Sequence, residues 1–189
     1  MDLNKFLVWS SGVLALALYI PLLTGILHGE IKQSFATWIL WVVLDGIAMV
    51  SIILQDGNWL LLACYVSGGT IITISLVYTK QFKWTWFEWC TLGAVIFCLI
   101  VAKLSGARWA TITSTLAVFF SGFPQFKDSW KEPHTKTALI YLGYVVANSL
   151  SFFGGKSWSI EERFYPGMMT LLCLTIMTAA FRKQPQEKP

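Results

Sequence analysis

The chain has 189 residues, of which 56% are apolar and only 13% carry charge, for a net charge of +4 at pH 7. Of its 24 Asp, Glu, Lys and Arg residues only two fall inside seven long apolar runs. So few charges, gathered almost wholly between the runs, exclude the water-exposed surface of a soluble globular domain and point to a membrane protein.

Hydrocarbon cannot hydrogen-bond a backbone, so each spanning segment must satisfy its own amides as a helix, which takes roughly 17–25 mostly apolar residues. The runs, in chain order, are Phe6–Leu27, Gln33–Gln55, Gly57–Thr79, Trp84–Ala102, Trp109–Phe126, Thr137–Gly155 and Phe164–Phe181. The first follows Lys5 but is long and lacks a small-residue cleavage pattern, so it reads as a helix and not as a signal peptide. The second holds Asp45 at its centre. The fourth holds Glu88 about one turn inside its start, within reach of headgroups or Lys83. Ser159-x-x-Glu162 reads as a capping box leading into the seventh. The end of the chain, 184–189, is polar and is expected to be a disordered tail. Connections are too short for a soluble domain.

Loop charges alternate. One side gathers nine Lys and Arg and the other five, which by the positive-inside rule expects a cytoplasmic C-terminus and, with seven spans, an external or lumenal N-terminus. The same distribution accounts for the basic balance without nucleic acid. Most of the ten tryptophans lie near span ends, as an interfacial aromatic belt. Cys64, Cys90, Cys98 and Cys173 fall inside runs without a C-x-x-C pairing and read as packing residues. His28 and His134, in two connections, have no third ligand beside them, so no metal site is expected.

The chain is also duplicated. A shift of 103 positions lays Pro21 on Pro124, Trp38 on Tyr141, Trp41 on Tyr144 and Asp45 on Asn148; a shift of 100 then lays Tyr65 on Tyr165, Thr70 on Thr170 and Ser75 on Thr175. The fourth run has no counterpart. Three crossings reverse the chain's side of the membrane and one extra helix restores it, so the repeated units are expected to be parallel. The expected fold is therefore all-α and integral to the membrane, seven transmembrane helices as two parallel three-helix bundles joined by a linker helix. The units are 1–83, the linker 84–105 and the second unit 106–183.

This 3+1+3 plan, with a proline near the end of each unit's first helix, resembles the SWEET and PQ-loop family of seven-helix membrane transporters. The family's namesake dipeptide stands once, as Pro124-Gln125; in the first unit it is Pro21-Leu22. The resemblance implies alternating access with Pro21, Pro124 and Gln125 at hinges. A proline removes one intrahelical hydrogen bond and clashes with the preceding turn, so the reading as a hinge stands beside that of a plain kink. Sugar-carrying members bear an Asn in a Pro-Asn context on each unit's third helix. The matching positions here are Ser67 and Gly167, a departure that weighs towards another small solute or a proton-linked transporter.

Asp45 is the strongest site candidate, because an ionisable residue near mid-bilayer must face protein or water and is functional by default. Thr37, Trp41, Asp45 and Met49 recur every four residues on one helix face, and Ile140, Tyr144, Asn148 and Phe152 do so in the second unit. Packed about a pseudo-twofold axis, these faces would meet at a central cavity with Trp41 and Tyr144 as stacking walls and Asp45 and Asn148 as polar anchors, and the family resemblance adds Ser67 to the substrate-binding positions. Aromatic-lined packing without a cavity is the bland alternative.

No Ser-His-Asp set, H-E-x-x-H or Gly-rich phosphate loop is present, so neither an enzyme nor a cofactor is expected. The sequence reads as a transporter of a small polar solute, a sugar, amino acid or similar, moved passively or coupled to protons through Asp45. Its partners are that solute, protons and the lipid bilayer, with homo-oligomerisation left open. The alternative is a membrane receptor or structural protein on the same scaffold; a receptor for peptide C-termini would want cations lining the cavity, and no run supplies one.

Overall fold

A computed structural model describes residues 2–31, 33–81 and 86–182. These form eight helices: α1 (Leu3–Leu27), α2 (Phe35–Ile53), α3 (Leu60–Tyr78), α4 (Trp86–Ser105), α5 (Ala107–Ser121), α6 (Phe123–Lys131), α7 (Thr135–Gly154) and α8 (Ile160–Phe181). Five of them, α1, α2, α3, α7 and α8, are long and apolar enough to cross a membrane, which is the character of a multi-pass membrane protein. The start of the expected linker at Trp84, the side chain of Glu88 and the tail at 184–189 lie outside the described residues.

Local chemistry sets the helix ends. Asp2 caps α1 by accepting from the Asn4 amide, and Ser34 caps α2 by accepting from the Thr37 amide at 3.3 Å, each satisfying one of the unpaired donors of a first turn. The chain leaves α1 through Gly29, whose φ of 71° suits glycine. The amides of Glu30 and Ile31 both bond back to the Gly25 carbonyl, at 2.9 and 3.0 Å.

Two local expectations are corrected. The fifth run is not one helix: it divides at Gly122, and Pro124 sits in the first turn of α6, where its missing N–H costs nothing. Only Pro21 is inside the helix where the repeat puts it. The capping box at Ser159 does not form; Glu162, buried, instead accepts from the backbone amide of Lys156 at 3.0 Å. Arg163 crosses the same loop, donating to the carbonyls of Phe152, Ser157 and Gly155, which leaves the helix start held by two side chains reaching backwards.

Helix α3 packs between α1 and α2, and α8 between α5 and α7; α1 also packs on α7, and α2 on α5. Every one of these contacts maps onto another when α1, α2 and α3 are exchanged for α5, α7 and α8. Helix α4 has no place in the exchange and lies against α5 and α2.

The outer surface is apolar: Val13 and Ile20 on α1, Ile71 and Ile74 on α3, and Leu139 and Val146 on α7 are exposed. Hydroxyls on that surface turn inward to their own helix. Ser67 donates to the Ala63 carbonyl at 2.8 Å and Thr70 to Val66 at 2.6 Å, the arrangement a side chain needs where no water is available.

Close packing depends on Gly68 of α3. A Cβ built there would lie 2.2 Å from the ring of Tyr19 on α1, so only glycine lets these two helices approach this closely. At the α2–α3 connection, a Cβ on Gly57 would lie 2.6 Å from the backbone oxygen of Glu161 at the start of α8. The Asn58 amide reaches the same oxygen at 3.3 Å, and its side chain donates to the Ser151 hydroxyl at 3.1 Å. At one end of the molecule a loop of the first half thus rests on the second. A backbone carbonyl cannot swing aside as a side chain can, so Gly57→Ala is expected to part this seam. The readouts are a lower melting temperature in detergent and faster labelling of interior thiols.

At the opposite end, Lys136 of α7 forms an ion pair with Glu30 in the α1–α2 connection. Lys136 holds the Glu30 carboxyl below its usual range. A depressed carboxylate pKa contributes stability at neutral pH that is lost as pH falls through the folded value. Both side chains are exposed, so screening keeps the effect small. Glu30→Gln is expected to leave the neutral-pH melting temperature unchanged.

Candidate functional site: an aromatic cage around Asp45 and Asn148

Helix periodicity places the site residues. On α2, Trp38, Trp41 and Asp45 fall on one face; on α7, their repeat equivalents Tyr141, Tyr144 and Asn148 do the same, and all six line one central cavity. Tyr65 and Gly69 of α3 enter it from one half, Tyr165 and Met169 of α8 from the other. Asp45 is 4% exposed and Asn148 0%.

The two polar residues are held crosswise. The Tyr165 hydroxyl donates to Asp45 Oδ1 at 2.7 Å, and Asn148 Nδ2 donates to the Tyr65 hydroxyl oxygen at 2.7 Å. In each case a residue of one repeat is bonded to the tyrosine on the third helix of the other. Asn148 Nδ2 also donates to the Tyr144 carbonyl at 2.8 Å. A carbonyl only accepts, so the amide orientation is settled, and Oδ1 is left buried without a partner. An unpaired buried oxygen costs free energy that a water or a solute donor would recover.

The aromatic rings are packed edge to face. Tyr144 meets Tyr19 at a centroid distance of 5.8 Å and Tyr65 at 5.9 Å, and Trp38 meets Trp41 at 5.2 Å, a geometry that fixes ring positions. The Trp41 indole is fixed further by its donation to the Val118 carbonyl of α5 at 3.1 Å. That acceptor is available because α5 ends just beyond it. The Gly122 amide bonds to Phe119, at 3.2 Å, and not to the carbonyl four residues back.

Trp41, Asp45, Tyr144 and Asn148 therefore come together, as the four-residue spacing expects. Ser67 does not join them. It is exposed on the outer face of α3, two residues from Tyr65 and so about 200° around the helix from the face that meets the cavity. The Tyr65 and Tyr165 hydroxyls take the anchoring places instead. Their signal was the identity of the two tyrosines at a shift of 100. Of the hinge candidates, Pro21 lies inside α1, while Pro124 and the buried Gln125 begin α6, away from the cage.

The cavity is small, about 50 Å³. A water needs roughly 10–15 Å³ by the same measure, whereas sites for small molecules run to about 300–1,000 Å³. It has room for a few waters and none for a sugar or an amino acid.

No family model matches the chain, and neither the characterised proteins nor the solved structures include a match to it.

Proposed function

We propose that the protein is a transporter of a small polar solute, a SWEET-like or PQ-loop-like carrier of 3+1+3 plan that rocks its two three-helix units about the cage. The C-terminus is cytoplasmic and the N-terminus external or lumenal in this reading. The observation that carries it is the crosswise pairing of Asp45 with Tyr165 and of Asn148 with Tyr65. Each bond ties one repeat to the other at the polar centre, so parting the units breaks both and frees their groups for a solute. The exchange-symmetric helix contacts support the two-unit division. The closed cavity fits the occluded step of such a cycle, in which water is excluded on both sides.

The test is uptake into liposomes by the purified, reconstituted protein across a panel of sugars, amino acids and amines, with and without an imposed pH gradient. Proton coupling requires flux that follows the gradient and a variant, Asp45→Asn, that retains exchange while losing the gradient response. Uptake indifferent to both Asp45→Ala and Asn148→Ala places the pathway elsewhere.

The small volume favours one second reading, a structural or receptor protein whose interior never opens. Cys173 borders the cavity and is a buried free thiol. On a Cys64→Ala, Cys90→Ala, Cys98→Ala background, a carrier exposes Cys173 intermittently to a membrane-impermeant thiol reagent. A permanently closed scaffold leaves it unlabelled.

A further inference from the structure

The central cage is one-sided in charge. Among the described residues, seven of the fourteen that line it are Tyr or Trp, one is a carboxylate, Asp45, and none is Lys, Arg or His. Asp45 forms no ion pair with any of them. Its Oδ1 accepts from the Tyr165 hydroxyl, whereas Oδ2 accepts from no described residue and is not one of the side-chain oxygens closed off by packing. The surface left to Asp45 is small, 4%, and lies at the cavity that the residue lines. An ionised carboxylate so enclosed is costly unless a cation meets it, and an aromatic lining itself attracts cations.

Charge and size narrow the occupant. An anion would face Asp45 with no basic group to offset the repulsion. The carboxylate half of an amino acid would meet the same repulsion, so a zwitterion is a poor fit. A sugar wants several free donors and acceptors, but the Tyr165 and Tyr65 hydroxyls are already engaged with Asp45 and Asn148, both at 2.7 Å. A compact metal ion wants several ligands at once, and the described His, Cys, Asp and Glu residues form no cluster of three. The cavity of about 50 Å³ corresponds to roughly three to five waters at about 10–15 Å³ each. That is room for a cation of a few heavy atoms and no more.

We infer that the cage takes a small primary amine in its ammonium form, with the ammonium against Asp45 Oδ2 and a short alkyl group among the rings. The repeat gives one unit a carboxylate and the other, at Asn148, an amide of nearly the same shape. One negative charge is thus left to meet one positive charge, and a monovalent ligand balances it. The assignment names the solute class of the proposed transport site, and rests on the transport reading only for what happens to the ligand after it binds.

The test uses the purified full-length protein in detergent and four probes of similar size: methylammonium, methanol, formate and sodium. Calorimetry is expected to show methylammonium bound at least tenfold tighter than methanol or sodium, and no binding of formate. Asp45→Asn is expected to weaken methylammonium at least tenfold. The double substitution Asp45→Asn, Asn148→Asp moves the carboxylate to the repeat-related position on the same cavity and is expected to restore most of the lost affinity, which mere damage to the fold would not do. No binding of methylammonium, equal binding of methanol or sodium, or an Asp45→Asn protein that binds as the parent does overturns the assignment. So does a double variant that melts with the parent yet binds no better than the single one. Liposome uptake is measured at mildly acidic pH, where the membrane-permeant free base is scarce. Binding with this profile but uptake no faster than into protein-free liposomes retains the ligand class and refutes transport. Uptake of a neutral solute without methylammonium binding retains transport and refutes the ligand class.

Discussion

Asp45→Ala is expected to reduce solute flux through the reconstituted protein by tenfold or more, with Tyr165→Phe close behind it. The carboxyl is 4% exposed and its Oδ1 takes the Tyr165 hydroxyl at 2.7 Å. Hydrogen bonds to a charged group are worth about 1.5–3 kcal/mol, and a step of about 1.4 kcal/mol is tenfold in a rate or equilibrium. Tyr165→Phe strips the donor and leaves the carboxyl in place. Tyr65→Phe removes the acceptor of a neutral amide that keeps a second bond to the Tyr144 carbonyl, so its effect should be smaller. The ordering Asp45→Ala, Tyr165→Phe, Tyr65→Phe in initial uptake rate is the checkable result. Equal effects of the two tyrosine variants would mean that the acidic side chain has no special part.

Gly68→Ala should give the largest loss of stability from a single added methyl group. The new Cβ would fall 2.2 Å from the Tyr19 ring, and that ring is hemmed in. Its hydroxyl donates to the Tyr65 carbonyl at 3.3 Å, and it meets Trp38 and Tyr144 edge-on at 6.0 and 5.8 Å. Overpacking of this kind costs about 1–3 kcal/mol, which in a chain of this size lowers a melting temperature by several degrees. Gly46→Ala is the control, since a Cβ there meets nothing within 4 Å. A second change, Tyr19→Leu, should restore part of what Gly68→Ala loses. A Gly68→Ala protein that melts with the parent would show that α1 and α3 are not seated as described.

The helical, membrane-crossing character was legible in the sequence because hydrocarbon enforces it on every span in turn: among the described residues, five of the expected runs are helices long and apolar enough to cross. The gathering of Asp45, Asn148, Trp41 and Tyr144 around one cavity was legible from a four-residue rhythm that a helix converts directly into a face. What escaped depended on distinctions finer than a turn. Ser67 and Tyr65 are two residues apart, yet one faces outward and the other inward, and no local rule orients a helix with apolar residues all round. The repeat implied matching prolines, but Pro21 is enclosed by a helix and Pro124 begins one; the difference lies in Gly122, whose counterpart at the same shift is Tyr19. Ser159 and Glu162 had the spacing of a reciprocal cap, and a loop amide at Lys156 competed successfully for the carboxylate.

The interruption at Gly122 ties backbone posture to a side chain on the neighbouring helix α2. Were α5 and α6 to run on as one unbroken rod, the amide four residues along would reclaim the Val118 oxygen, which now receives both the Ser121 hydroxyl and the Trp41 indole. A straight fifth helix and a tethered Trp41 are competitors for one lone-pair oxygen, so any unbending there would loosen the wall of the cage from a distance.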